Sequence, residues 1–227
     1  MLSFFGRGSA FADVHNSAFF TDENDLILID CPATTFQRIK HFDFNRYENI
    51  YVLITHTHGD HAGGVGTFLQ YIYFAFHKKV TVTVPCQAVY DDIELLLKRI
   101  EGCEDDWFNI LLTDNLEKKW FVSAVPVIHS QTLKGKCFGY VLKVDGLTTI
   151  YTGDTHTLEP FMPYISKGCC LYTELSLYKT AVHLYYKDYL TVLKNFSENG
   201  VKVYLMHLDD EKEMLKITEG TELQLAP

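Results

Sequence analysis

The run Thr55-His56-Thr57-His58-Gly59-Asp60-His61 places three imidazoles and one carboxylate within six positions. Imidazole nitrogen and carboxylate oxygen are preferred ligands for Zn²⁺ and related divalent ions. Four such groups cannot enter a protein interior without a large desolvation cost unless something pairs with them, and a metal is an economical partner. His56 and His58 fall on one side of an extended segment, because side chains alternate with period two. Gly59 is read as permitting a tight turn, after which Asp60 and His61 emerge in a new direction. Two pairs of donors at one corner suggest two neighbouring metals.

The motif follows Asn49-Ile50-Tyr51-Val52-Leu53-Ile54, an apolar run with the length and β-branched or aromatic content of a buried strand. Three more donors follow similar stretches. His129 comes after Val125-Pro126-Val127-Ile128, Asp154 after Thr149-Ile150-Tyr151-Thr152-Gly153, and His207 after Val201 to Met206. Each lies just past an expected strand, so all could meet at one edge of a sheet.

The order His56-x-His58-x-Asp60-His61, then His129, Asp154 and His207, resembles the metallo-β-lactamase superfamily over roughly Phe4 to Leu208. The resemblance implies an α/β (α+β) fold, a four-layer αβ/βα sandwich of two mixed sheets flanked by helices, as one domain over residues 1–227. It also implies two divalent ions. His56, His58 and His129 correspond to the ligands of one, Asp60, His61 and His207 to those of the other, and Asp154 to the carboxylate bridging both. The third-motif position holds Asp154 and not cysteine, and the second ligand is His58 and not glutamate; both choices point to a two-metal hydrolase. Zn²⁺ is the expected ion, with Mn²⁺ or Fe²⁺ suited to the same donors.

Further residues resemble the tRNase Z-like phosphodiesterases. Phe5-Gly6-Arg7-Gly8-Ser9-Ala10 is similar to that branch's opening glycine-rich loop, with Arg7 in place of threonine. Tyr172-Thr173-Glu174-Leu175 and His183 stand where that branch has a glutamate motif and a histidine ahead of a helix. The resemblance makes Glu174 and His183 a carboxylate–imidazole pair that protonates a leaving oxygen, and Asp60 a ligand that also orients the attacking water. His15 is a candidate phosphate contact and His156 a candidate neighbour of the metal ligands. The long arm that grips tRNA in true tRNase Z has no counterpart in this chain, nor does a basic, proline-containing loop near the start.

Charge points the same way. The formal net charge is −9 and no dense Lys/Arg block occurs, whereas nucleic-acid binders neutralise phosphates with basic patches. A small phosphodiester or cyclic nucleotide is therefore the expected substrate, and a long nucleic acid is not. Two alternatives stay open: an acyl or thioester hydrolase of glyoxalase II or lactonase type, and a non-catalytic metal-binding regulator.

Hydrophobic content of 47% suits a packed interior. No apolar stretch reaches the roughly eighteen residues of a membrane span. Six cysteines lack zinc-type spacing and read as reduced structural thiols of a cytoplasmic protein. The remaining elements read as a hairpin from Ser17 to Cys31, helices over Thr35–His41, Gln87–Ile100 and Leu184–Asn199, and a strand at Val80–Val84. Asp145-Gly146 turns a second hairpin, and Met214–Thr218 with Glu222–Leu225 forms a closing one around Gly220. The aromatic segment Phe68–Phe76 is either core or, in part, a dimer face or substrate wall; a homodimer is the expected assembly.

Overall fold

The computed structural model describes all residues, 1–227. The chain divides into two compact units. The N-terminal unit comprises Leu2–Gly6 and Val14–Glu117; the C-terminal unit comprises Met1, Arg7–Asp13 and Lys118–Pro227.

The N-terminal unit carries six strands: β1 (Ser3–Gly6), β2 (Ser17–Asp22), β3 (Asp25–Ile29), β4 (Asn49–Leu53), β5 (Val80–Val84) and β6 (Phe108–Leu112). They form one mixed sheet in sequence order. The first two pairings are antiparallel and the other three parallel. Every residue of β3 is buried, as expected of a strand covered on both faces. The helices are α1 (Ala33–Ile39), the single turn α2 (Gly59–Ala62), α3 (Val65–Phe76) and α4 (Gln87–Glu94). Val65, Phe68, Leu69 and Ile72 recur on one face of α3 and are fully buried against Leu28, Val52 and Val82 in the core cluster. Part of the aromatic segment is thus core, while Phe74 stays 64% exposed.

The C-terminal unit repeats the plan. Its strands are β7 (Phe121–Pro126), β8 (Phe138–Val144), β9 (Leu147–Tyr151), β10 (Cys170–Glu174), β11 (Lys202–Met206) and β12 (Gln224–Leu225). They pair in chain order, antiparallel twice and then parallel three times. The expected Asp145-Gly146 turn joins β8 to β9, with both residues at positive φ. Helix α5 (Tyr186–Glu198) covers β11 and buries Leu193; α6 (Glu211–Ile217) follows.

Three local expectations are corrected. Met214–Thr218 is not a hairpin arm: α6 runs through it, started by the Asp210 carboxylate, which accepts hydrogen bonds from the Lys212 and Glu213 backbone N–H groups. β12 then pairs parallel with β11. Gly59 makes no turn that needs glycine; it opens α2, with His58 as the preceding cap residue. The helix from Gln87 changes to a π-helical turn over Leu95–Ile100. That wider turn rotates the apolar row out of step, leaving Ile100 68% exposed.

Candidate metal and proton-transfer site

Donor side chains gather in each unit at the C-terminal ends of the central strands, where open α/β sheets place ligands. In the N-terminal unit the chain leaves β4 through Thr55 and His56, then enters α2. His56 Nε2 and His58 Nδ1 are 2.9 Å apart, and the rings of His56 and His61 have centroids 4.0 Å apart. His61 Nε2 is 3.3 Å from Asp60 Oδ2. The four residues of the motif therefore form one cluster, with His56 and His61 buried.

A residue that the sequence reading missed holds this cluster. Asp30, fully buried at the end of β3, takes a left-handed backbone with φ of 60°. Its carboxylate accepts hydrogen bonds from Thr55 N, Thr55 Oγ1 and His61 Nδ1, each at 2.8 Å. The bond to Nδ1 fixes the His61 tautomer and leaves Nε2 as the nitrogen able to bind a metal. Burial pushes the Asp30 carboxyl above the usual carboxylate range, against the pull of His61 and the Thr55 bonds. The available signal was an acid directly after the apolar run Leu26–Ile29, akin to the position of Asp154 shortly past β9.

In the C-terminal unit, donors come from four separate places. Asp154 follows β9 through Gly153, whose φ is 60°, and His207 follows β11 with φ of 51°. His207 Nε2 is 3.4 Å and His129 Nε2 3.7 Å from the same Asp154 Oδ2. His129 Nδ1 donates to the Val182 carbonyl at 2.9 Å, so its Nε2 is the atom turned to Asp154. Ligand atoms of His129, Asp154 and His183 lie within 4.8 Å of one another, as do those of Glu174, His183 and His207.

Glu174 ends β10 and is fully buried. One carboxylate oxygen accepts from the Thr155 backbone N–H and the other from His183 Nδ1 at 2.6 Å. Burial raises the Glu174 pKa, with the His183 bond opposing it. For His183, burial works against the charge, but the Glu174 hydrogen bond and charge outweigh it and hold the imidazole at about 9. The ring thus keeps its proton at neutral pH, with 22% of its side chain exposed. Asp209, also absent from the sequence reading, accepts from Ser176 Oγ and Leu177 N, both at 2.8 Å, and so ties down the loop that carries His183. His156 Nδ1 donates to the Ile128 carbonyl at 3.0 Å, and the His15 backbone N–H donates to Thr34 Oγ1.

These donors fit divalent cations. In both units, imidazole nitrogens turn toward carboxylate oxygens at 3.3 to 3.7 Å. Such buried nitrogen and oxygen donors match the preferences of Zn²⁺ and its neighbours.

The fold is that of the metallo-β-lactamases. The crystal structure of the metallo-β-lactamase fold protein YhfI from Bacillus subtilis superposes with a TM-score of 0.75 at 14% identity, covering 99% of this chain and 95% of that one. Among curated proteins, a UPF0173 metal-dependent hydrolase of Pyrococcus furiosus is 30% identical over 152 residues, 63% of this chain and 60% of that protein. The anti-Pycsar protein Apyc1 of Paenibacillus xerothermodurans is 26% identical over 226 residues, 93% of this chain and 89% of that protein. The profile of the anti-Pycsar protein Apyc1 family matches residues 1–226, and the chain belongs to that family.

Proposed function

We propose that this protein is a metal-dependent phosphodiesterase that hydrolyses a small or cyclic nucleotide. The observation that carries the reading is the 2.6 Å Glu174–His183 pair, which presents a protonated imidazole beside the donor cluster. A proton donor of this kind serves a leaving alkoxide, such as a sugar oxygen. Family membership and the metal-dependent hydrolase among the relatives support the same class.

His56, His58 and His129 would hold one divalent ion, Asp60, His61 and His207 a second, and Asp154 would be shared by both; we read residues 1–227 as a single domain. When bound, two such ions lower the pKa of a water from about 15.7 toward 7 and offset charge on the phosphoryl oxygens. Asp60 accepts a hydrogen bond from the attacking water and aims it at phosphorus. As the new P–O bond forms, the ester bond to the sugar breaks, and His183 Nε2 gives its proton to the departing oxygen. Glu174 keeps Nδ1 engaged throughout, and the Thr155 N–H keeps Glu174 in place.

Zn²⁺ is our assignment for the ions. We assign the protein to the cytoplasm, in keeping with six free cysteines; no helix is long and apolar enough to cross a membrane. A homodimer through the exposed part of α3 around Phe74 is the assembly we favour.

The deciding experiment is a substrate panel on zinc-reconstituted protein: bis(p-nitrophenyl) phosphate, cyclic mononucleotides, a tRNA precursor, a thioester and a cephalosporin. Turnover of the phosphodiesters is expected. Preference for the thioester would overturn the assignment.

A further inference from the structure

We propose that the cavity beside His183 is the nucleoside subsite of this enzyme, with the Tyr185 ring as the surface on which the base stacks. The inference rests on the phosphodiesterase reading. It follows from a covalent constraint: the oxygen that receives the His183 proton is an atom of the sugar, so the sugar must lie against whatever space His183 lines.

That space is a cavity of about 430 Å³ built within the C-terminal unit, from His156, the loop before α5 and the first turns of α5. Its volume falls in the range of small-molecule sites. A larger cavity of about 560 Å³, lined by Met1, Tyr204 and Gln224, touches none of the proposed catalytic residues.

The lining has the chemistry of a nucleoside site. Three tyrosines border the start of α5. Tyr186 and Tyr189 pack on the hydrophobic core, and Tyr189 Oη also donates to the His156 carbonyl at 3.1 Å. Tyr185 is outside that core packing and is only half-buried. It caps α5 through its backbone, and its ring meets the Tyr186 ring edge-on at 5.2 Å while lining the cavity. Base–aromatic stacking is tolerant of sequence and contributes about 1–3 kcal/mol per base.

Polar groups surround this ring. Lys179 Nζ lies 5.8 Å from the Tyr185 centroid and 3.8 Å from Asp188 Oδ2. Both side chains are more than half exposed. Such a pair is weak and can exchange its partner for groups on a base. His156 donates through Nδ1 to Ile128, which leaves Nε2 to accept from a sugar hydroxyl. A bare phosphate would use none of the aromatic surface.

Tyr185→Leu tests the assignment, with Tyr185→Phe as the control for folding. KM and kcat are measured on adenosine 3′,5′-cyclic monophosphate and on the base-free methyl riboside 3′,5′-cyclic phosphate. Binding of adenosine 5′-monophosphate is followed separately by equilibrium dialysis. Tyr185→Leu should raise KM for the nucleotide by about fivefold to a hundredfold. It should change kcat little and leave the base-free compound unaffected. Tyr185→Phe should behave as wild type, and dialysis should show the same weakening as KM. Unchanged nucleotide binding in Tyr185→Leu, or an equal loss on the base-free compound, overturns the subsite. The dialysis arm decides this even if the wild-type protein hydrolyses neither compound, a result that would sink the phosphodiesterase reading alone.

Discussion

The two units pair their strands in the same order of directions, yet they use the strand ends in opposite ways. In the N-terminal unit the third strand, β3, ends in Asp30, a carboxylate that supports; the fourth, β4, leads into the imidazole ligands. In the C-terminal unit the third strand, β9, leads to Asp154, a proposed ligand; the fourth, β10, ends in Glu174, a carboxylate that supports. Both supporting acids are fully buried, and each grips a histidine through Nδ1, at 2.8 Å for His61 and 2.6 Å for His183. What separates them is solvent. His61 has no exposed side-chain surface, whereas His183 retains 22% and borders a cavity. On the proposed reading, the same pairing serves a fixed metal ligand in one unit and a proton donor in the other.

The largest effect should come from the carboxylate between two histidines. Asp154→Ala removes the oxygen that His129 and His207 both face. Turnover should vanish, and metal content by elemental analysis should fall with it. Retention of both metals with activity lost would separate Asp154 from binding and break the proposed ligand set.

His183→Ala should act on chemistry alone. Metal content should hold, while alkyl phosphodiesters slow by about a hundredfold or more and p-nitrophenyl esters much less. Equal losses on both leaving groups would count against the acid. The pH profile carries the same test. Because the His183 pKa is raised to about 9, the donor form is present at neutral pH and is lost as pH rises through that value. Hydrolysis of alkyl esters should therefore fall above about pH 9, with no matching fall for p-nitrophenyl esters. The same sign governs stability. His183's contribution is fully present below the unfolded histidine value of about 6.5 and is lost as pH rises through about 9.

Asp30→Asn probes the supporting acid of the other unit. It weakens the hydrogen bond to His61 Nδ1 and replaces an acceptor facing the Thr55 hydroxyl. Zinc affinity by competition titration should drop about ten- to a hundredfold. The leaving-group dependence that identifies His183 should be unchanged. A shift in that dependence would mean the two supports are not independent.

Legibility in the sequence followed contiguity. The donors at 56 to 61 sit on one short stretch, so residue spacing alone disclosed them. His129, Asp154 and His207 are separated by long intervals, and only their shared position after apolar runs, joined to a family resemblance, marked them. Asp30 also follows an apolar run and was still overlooked, because the hairpin arm is read as continuing through it to Cys31. Asp209 was invisible for a stronger reason: its partners, Ser176 and Leu177, are brought to it by tertiary structure. The final helix was misread because Gly220 suggested a turn between two apolar pairs. The Asp210 cap with Glu213 three residues on was the better signal.

The two donor segments are most alike in their Gly-Asp pairs. Gly59 precedes Asp60 and Gly153 precedes Asp154. Gly59 is the first residue of α2, and a Cβ built there meets nothing within 4 Å. Gly153 has φ of 60°, a conformation that side chains disfavour. Alanine at 59 should thus stabilise the apo protein by about 0.4–1 kcal/mol, through reduced freedom of the unfolded chain. Alanine at 153 should destabilise it by more than that. For a chain of this size the gain corresponds to about 1–4 °C in Tm, and the loss at 153 should exceed it. Thermal melts of the two variants, both stripped of metal, check the opposite signs. A loss at 59 as large as that at 153 would mean that Gly59 is required for the loop after all, and that the two donor segments are built alike.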